Sequence, residues 1–155
     1  MPRITEFFII ETAAQNALIV NASVAEKDLP KFIGEGFNTI GAYVKKSGIM
    51  AADTPFLHIT GFEFSTLNVI VGIPVAAAAH GVGDIQSFVI PGGPKVFCYY
   101  QGDNSKMAPV YEEMSGFAKK QGYTMDKAGV YEYFLNGPDH GADKLLTKMV
   151  GTLKK

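Results

Sequence analysis

One pattern occurs twice in this chain, and it constrains the fold more than any other feature. The segment from Phe37 to Gly48 aligns without a gap on the segment from Tyr111 to Gly122. Phe37 meets Tyr111, Tyr43 meets Phe117, Lys45-Lys46 meets Lys119-Lys120, and the glycines coincide. Both segments read as helices. In the first, Ile33, Phe37, Ile40 and Val44 recur at helical spacing and make one apolar stripe. Asp28 is a candidate N-cap, Pro30 suits the first turn, and Gly48 is a stop signal, so the spacing predicts a helix over 29–47. In the second, Asn104 or Ser105 can cap a stripe of Met107, Val110, Met114 and Phe117 that ends at Gly122. Gly34, Gly36 and Gly41 weaken the first helix and suggest close packing against a neighbour.

The elements around these helices follow the same order. Strands are expected at 4–11, 17–24, 55–61 and 66–75, then again at 85–90, 95–101 and 129–135. Pro91-Gly92-Gly93-Pro94 and Asn136-Gly137-Pro138 are turn chemistry. The final segment, 144–153, fits a strand, yet Leu145, Leu146, Met149 and Val150 fit helical spacing equally well. With 155 residues, one domain is expected over 1–155, built from pseudo-repeats at about 4–75 and 85–153 joined by 76–83. The fold class is α+β: a tandem pair of strand-helix-strand-strand units. A one-helix unit covers only one face of its sheet. Two units are therefore expected to join their sheets antiparallel, with both helices on one side and a ligand cleft between the repeats.

Composition removes several functions. The formal net charge is −1, and the only basic clusters are Lys45-Lys46, Lys119-Lys120 and Lys154-Lys155. The first two sit where helices end and complement the helix dipole. Direct nucleic-acid binding through phosphate neutralisation lacks a basic face. A lone cysteine, Cys98, excludes an intrachain disulfide, fits a reducing compartment and sits in an apolar stretch that argues for burial. Glu6 and Glu11 break any leader-like pattern near the start, and the apolar run 69–79 contains Pro74 and is too short for a bilayer. The expectation is a cytoplasmic protein with no membrane partner.

His58, His80 and His140 show no metal-ligand spacing, and no phosphate loop, dinucleotide fingerprint or nucleophile elbow is present. No metal and no cofactor are expected. His80 and His140 lie in Gly-rich loops and read as solvated, and His58 reads as a satisfied strand histidine. Glu132 is different. It stands in Val130-Tyr131-Glu132-Tyr133-Phe134, where carboxylates are disfavoured. Either its strand face meets solvent, or it is a carboxylate in an aromatic-lined cavity, able to pair with a cation or act as a general base. In the repeat register Glu132 falls opposite His58. Tyr99, Tyr111, Tyr133 and Phe134 are the aromatic residues best placed to surround it.

These residues, in this order, resemble the GyrI-like (gyrase-inhibitor-like) effector-binding family, also found C-terminal in AraC-type and MerR-type regulators. The likeness rests on Ile73-Pro74-Val75, Ile90-Pro91-Gly92-Gly93-Pro94-Lys95, Tyr99-Tyr100-Gln101-Gly102, the helix 111–122 and Tyr131-Glu132-Tyr133-Phe134-Leu135-Asn136-Gly137-Pro138. It spans nearly the whole chain. It implies that Glu132 is the ligand-facing glutamate and that lipophilic, often cationic compounds bind between the repeats. Two departures stand out: Gly102-Asp103 replaces a Gly-Pro-aromatic helix entry, and there is no Trp. The leading expectation is a small-molecule sensor or sequestering module with Glu132, Tyr99, Tyr111, Tyr133, Phe134 and His58 at its site. The alternatives are a hydrolase of a strained electrophile with Glu132 as general base, and a protein partner such as a regulator or gyrase.

Overall fold

The computed structural model describes residues 3–63, 66–137, 139 and 141–155. It contains eight strands and two long helices: β1 (Phe8–Thr12), β2 (Gln15–Ala25), α1 (Leu29–Ser47), β3 (Phe56–Glu63), β4 (Thr66–Pro74), β5 (Gln86–Ile90), β6 (Gly93–Gln101), α2 (Ala108–Lys120), β7 (Thr124–Phe134) and β8 (Leu146–Lys154). The fold is α+β. The chain divides into two compact units, one of Ala13–Pro91 and one of Gly92–Lys155 with the segment ending at Thr12.

In the first unit the strands run in the order β3-β4-β2-β5, each antiparallel to its neighbour. In the second they run β7-β8-β6-β1, again antiparallel. The two orders are equivalent: each unit is a strand-helix-strand-strand motif with one strand added beside its first strand. The added strands are exchanged. β1 precedes β2 in sequence yet pairs with β6, and β5 precedes β6 yet pairs with β2. The boundaries at 75 and 85 expected from the linear repeat therefore differ from those of the compact units, which fall at 12/13 and 91/92.

The helices keep the repeat register. Gly36, Ile40 and Val44 are the buried residues of α1, and Val110, Met114 and Ala118 those of α2, each pair at matched positions. Pro30 and Pro109 stand in the first turns. Gly48 ends α1 with φ 70°, and Gly122 follows α2 with φ 88°, conformations that suit glycine. The caps differ from expectation. Asp28 makes no side-chain cap bond, because a 3-10 turn over Glu26–Asp28 already gives it helical backbone angles. Asn104 and Ser105 lie in a 3-10 turn before α2, and that turn is capped by the Asp103 carboxylate, which accepts from the Ser105 N–H at 2.9 Å.

Close packing of glycine holds at one of the three helical positions singled out. A Cβ on Gly36 would lie 2.4 Å from Val71 Cγ2 and 3.1 Å from Val20 Cγ2, whereas Gly34 and Gly41 face open space. In the other unit the glycine is on the strand. A Cβ on Gly151 would lie 2.9 Å from Met114 Sδ and 2.9 Å from Val96 Cγ1. The core of that unit gathers Val96, Cys98, Tyr100, Val110, Met114 and Met149. Among the described residues, no helix is long and apolar enough to cross a membrane.

Within segment 144–153 the chain is strand from Leu146 onward, after a 3-10 turn over Ala142–Lys144. β8 is bonded on both sides, to β6 and to β7, and a strand buried on both faces reads as a continuous apolar run. The first strand is shorter than expected: Ile4 donates its N–H to Tyr99 O, but regular pairing begins at Phe8. At the turn after β7, the Asn136 side chain donates to Lys144 O and accepts from the Leu146 N–H. Pro138 and His140, expected in a turn and a solvated loop, lie outside the described residues.

The two kinds of helical glycine give opposite expectations. Gly34→Ala gains helix propensity in open space and should stabilise by up to about 1 kcal/mol. Gly36→Ala forces a methyl onto Val71 and should destabilise by about 1–3 kcal/mol despite the same gain. Urea unfolding of both variants checks this.

Candidate functional site

The site grows from the seat of α2 on its sheet. Gly151 lies under Met114, so the face of β8 that carries Met149, Gly151 and Leu153 is the one that meets the helix. Gly151 is registered with Val130, and Met149 with Glu132. Alternation then turns Val130, Glu132 and Phe134 toward α2, and Tyr131 and Tyr133 away from it. Cys98 is registered with Met149, so Cys98, Met149 and Glu132 form one row across β6, β8 and β7.

Tyr111 sits one turn ahead of Met114 on α2 and closes the site. Its hydroxyl donates a hydrogen bond to Glu132 Oε2. Among the described residues no cationic side chain forms an ion pair with Glu132. The carboxylate lies at a partly buried position beside two sulfur-bearing side chains, with Cys98 Sγ 3.9 Å from Met149 Sδ. Desolvation pushes the Glu132 pKa above the ordinary glutamate value, while the Tyr111 hydrogen bond pulls it down in part. The Tyr111 phenol is pushed up as well, first by burial and then by the Glu132 charge. Burial raises the Cys98 thiol to about 11, against a smaller pull from Arg3. It is a packed hydrophobe here.

The other expected site residues divide. Phe134 shares the helix-facing side of β7 with Glu132. Tyr99 and Tyr133 do not: they occupy the opposite face, in a row with Lys148, whose Nζ lies 4.4 Å from the Tyr133 ring centroid. His58 is buried on β3 and registered with Ile70. On that sheet Val71 and Leu57 are registered and meet α1, so His58 turns away from its helix. Glu132 turns toward its own helix. The gapless repeat register therefore does not carry from the helices into β3 and β7. His58 and Glu132 lie equally far past Gly48 and Gly122, so the difference arises within β7, where the five steps from Met125 to Val130 oppose two on β8. A slip of one residue flips a strand face. Cys98 and Met149 flank the carboxylate row, and only strand register reveals them. His80 is exposed, and its carbonyl accepts from the Tyr43 hydroxyl at 2.9 Å.

Comparison with known proteins supplies the lineage. The model of the GyrI-like small molecule binding domain matches residues 5–150. The chain belongs to the GyrI-like family. No curated protein sequence matches it. Among solved structures, the EcmrR C-terminal domain matches with TM-score 0.78 and 17% identity, covering 98% of this chain and 99% of that one. In the EcmrR–DNA complex the chain spans 57% of the length of EcmrR, at the same score and identity and with 97% of this chain covered. A hydrolase encoded by lin2189 from Listeria innocua matches with TM-score 0.71 and 12% identity, over 96% of this chain and 92% of that one. SAV2435 bound to tetraphenylphosphonium matches with TM-score 0.64 and 12% identity, over 97% and 94%. At these identities the likeness is one of fold. Within the GyrI-like frame this chain is a small-molecule binding domain, and among its described residues no group of three metal-ligating side chains comes together.

The site generates two expectations. Glu132 has a raised folded pKa, so the folded state holds its proton more tightly than the unfolded chain. Stability is lost as pH rises from 4.5 through that folded value. Glu132→Gln should therefore be more stable than the parent at pH 7, with the gain vanishing below pH 4.5, as read from thermal unfolding across pH. Cys98, being buried with a raised pKa, should react with a thiol reagent only at the rate of unfolding, and faster labelling of the native protein would refute its burial.

Proposed function

We propose that this GyrI-like domain binds lipophilic cations against the helix-facing side of β7, with Glu132 as the counter-charge. The observation that carries this is the desolvated Glu132 carboxylate, held by the neutral Tyr111 hydroxyl. A carboxylate in this position is under-solvated, and one neutral hydrogen bond offsets only part of the cost. A bound cation offsets more, and Phe134 on the same strand face and the Tyr111 ring supply apolar, π-rich walls. That SAV2435 has been captured with tetraphenylphosphonium supports this ligand class for the shared fold. The role is that of a sensor or sequestering module related to regulator effector domains, cytoplasmic and without direct nucleic-acid binding of its own. The raised Glu132 pKa also suits a general base, which is the one observation favouring the hydrolase reading.

Calorimetry with tetraphenylphosphonium tests the proposal. Glu132→Gln keeps the shape and removes the charge, so affinity should fall by about 1.5–3 kcal/mol. Binding to the parent should weaken as pH falls through the raised Glu132 pKa, because only the ionised form attracts the cation. Equal affinity in parent and variant at pH 8 would refute the role of Glu132. Recovery of unchanged ligand supports the binding module. Turnover of an electrophilic ligand, abolished in Glu132→Gln, would move the assignment to the hydrolase.

A further inference from the structure

The outer edge of the first unit is unguarded. β5 pairs with β2 on one side without a break in register, and among the described residues no strand pairs with its other side. No loop backbone of those residues bonds to Gln86–Ile90 either. An open edge is a template for another strand, and natural edges are commonly guarded by charge, proline or a bulge. β5 carries none of these: it reads Gln86-Ser87-Phe88-Val89-Ile90. β1, the outer strand of the other unit, carries Glu11. Val20 lies under Gly36 of α1, so alternation along β2 turns Asn16 and Leu18 toward the helix side, with their partners Val89 and Ser87. On that side Val89 is 55% exposed, and Ser87 is exposed beside an open recess of about 270 Å³ bounded by Ala78, Ala79 and His80. The Tyr43 hydroxyl of α1 holds this loop through His80 O.

We propose that the free edge of β5 is an interaction surface whose partner is a second copy of this chain, the two β5 strands pairing antiparallel about a two-fold axis at Phe88. In that register Gln86 faces Ile90, Ser87 faces Val89, and Phe88 faces its own counterpart. The edge is self-complementary there. An exposed valine meets a small residue beside a recess, twice over, and two aromatic side chains meet at the axis. No like charges oppose one another, because the strand has none. Pairing gives partners to backbone N–H and C=O groups along both edges and takes both Val89 side chains out of water. A foreign strand gains the same backbone bonds without the matched valine and recess, and that match selects the second copy. Two five-residue strands bury less than the roughly 1,200 Å² of a standard interface, so the dimer is weak and forms at high protein concentration. β5 carries no residue of the Glu132 site, and this inference does not depend on that reading.

Sedimentation equilibrium on the whole chain, from micromolar to millimolar concentration, tests this. The parent should pass from monomer to dimer over that range. Val89→Lys changes an exposed position and should weaken dimerisation about 10-fold, because a lysine guards the edge. Ile10→Lys, on the β1 edge, should leave it unchanged. Disulfide cross-linking reads the register, and Cys98, being buried, stays out of the reaction. Ser87→Cys and Val89→Cys proteins should cross-link when mixed and far less when each is alone, since position 87 of one copy lies opposite position 89 of the other. This readout decides the matter if Val89→Lys unfolds. A parent that stays monomeric at millimolar concentration would overturn the proposal and leave the edge to an extended segment of another protein. So would a dimer that Ile10→Lys dissociates and Val89→Lys does not, or a mixed pair that cross-links no better than either variant alone.

Discussion

Each helix of this protein reaches its sheet through one missing methyl group. In one unit the gap is on the helix, at Gly36 over Val20 and Val71, and in the other it is on the strand, at Gly151 under Met114. Interiors pack to near crystalline density, so a single Cβ at either contact pushes the layers apart. The seat of α2 matters for function because Tyr111 is on the same helix. With α2 against Gly151, the Tyr111 hydroxyl lies in reach of Glu132. A helix lifted by a methyl group would leave the carboxylate without its donor.

That donor is only partial compensation. Glu132 sits in a row with Cys98 and Met149, surroundings that solvate charge poorly. The protein retains a carboxylate at a place where an apolar residue would pack at no electrostatic cost, and natural chains tolerate such costs at sites of function. The face toward α2 carries a carboxylate, while the paired residues of the opposite face carry lysines at 95, 148 and 154. Strand alternation alone makes this segregation possible, because neighbours in sequence address different surroundings.

The exchanged strands show where a linear reading of the repeat ends. The order of elements, the helix over 29–47 and the stripes of both helices were legible, since helical periodicity and glycine stops are local signals. The pairing of β1 with β6 was not, because nothing in Phe8–Thr12 distinguishes pairing with β6 from pairing with the adjacent β2. The face presented by His58 was equally hidden. The repeat register equates it with Glu132, but the irregular stretch between Met125 and Val130 of β7 reverses the strand face there.

The sequence by itself determined an α+β duplication, the family, and the one carboxylate that strand chemistry disfavours, Glu132. These are properties of composition and short-range order, and the chain carries them wherever it folds. Tertiary structure decided which aromatic residues keep company with that carboxylate. Tyr111, a helix apart in sequence, bonds to it, while Tyr133, one residue away, faces the other side of the sheet with Lys148. The physical reason is that a β-strand separates adjacent side chains onto opposite faces, and only the packing of α2 settles which face becomes the site.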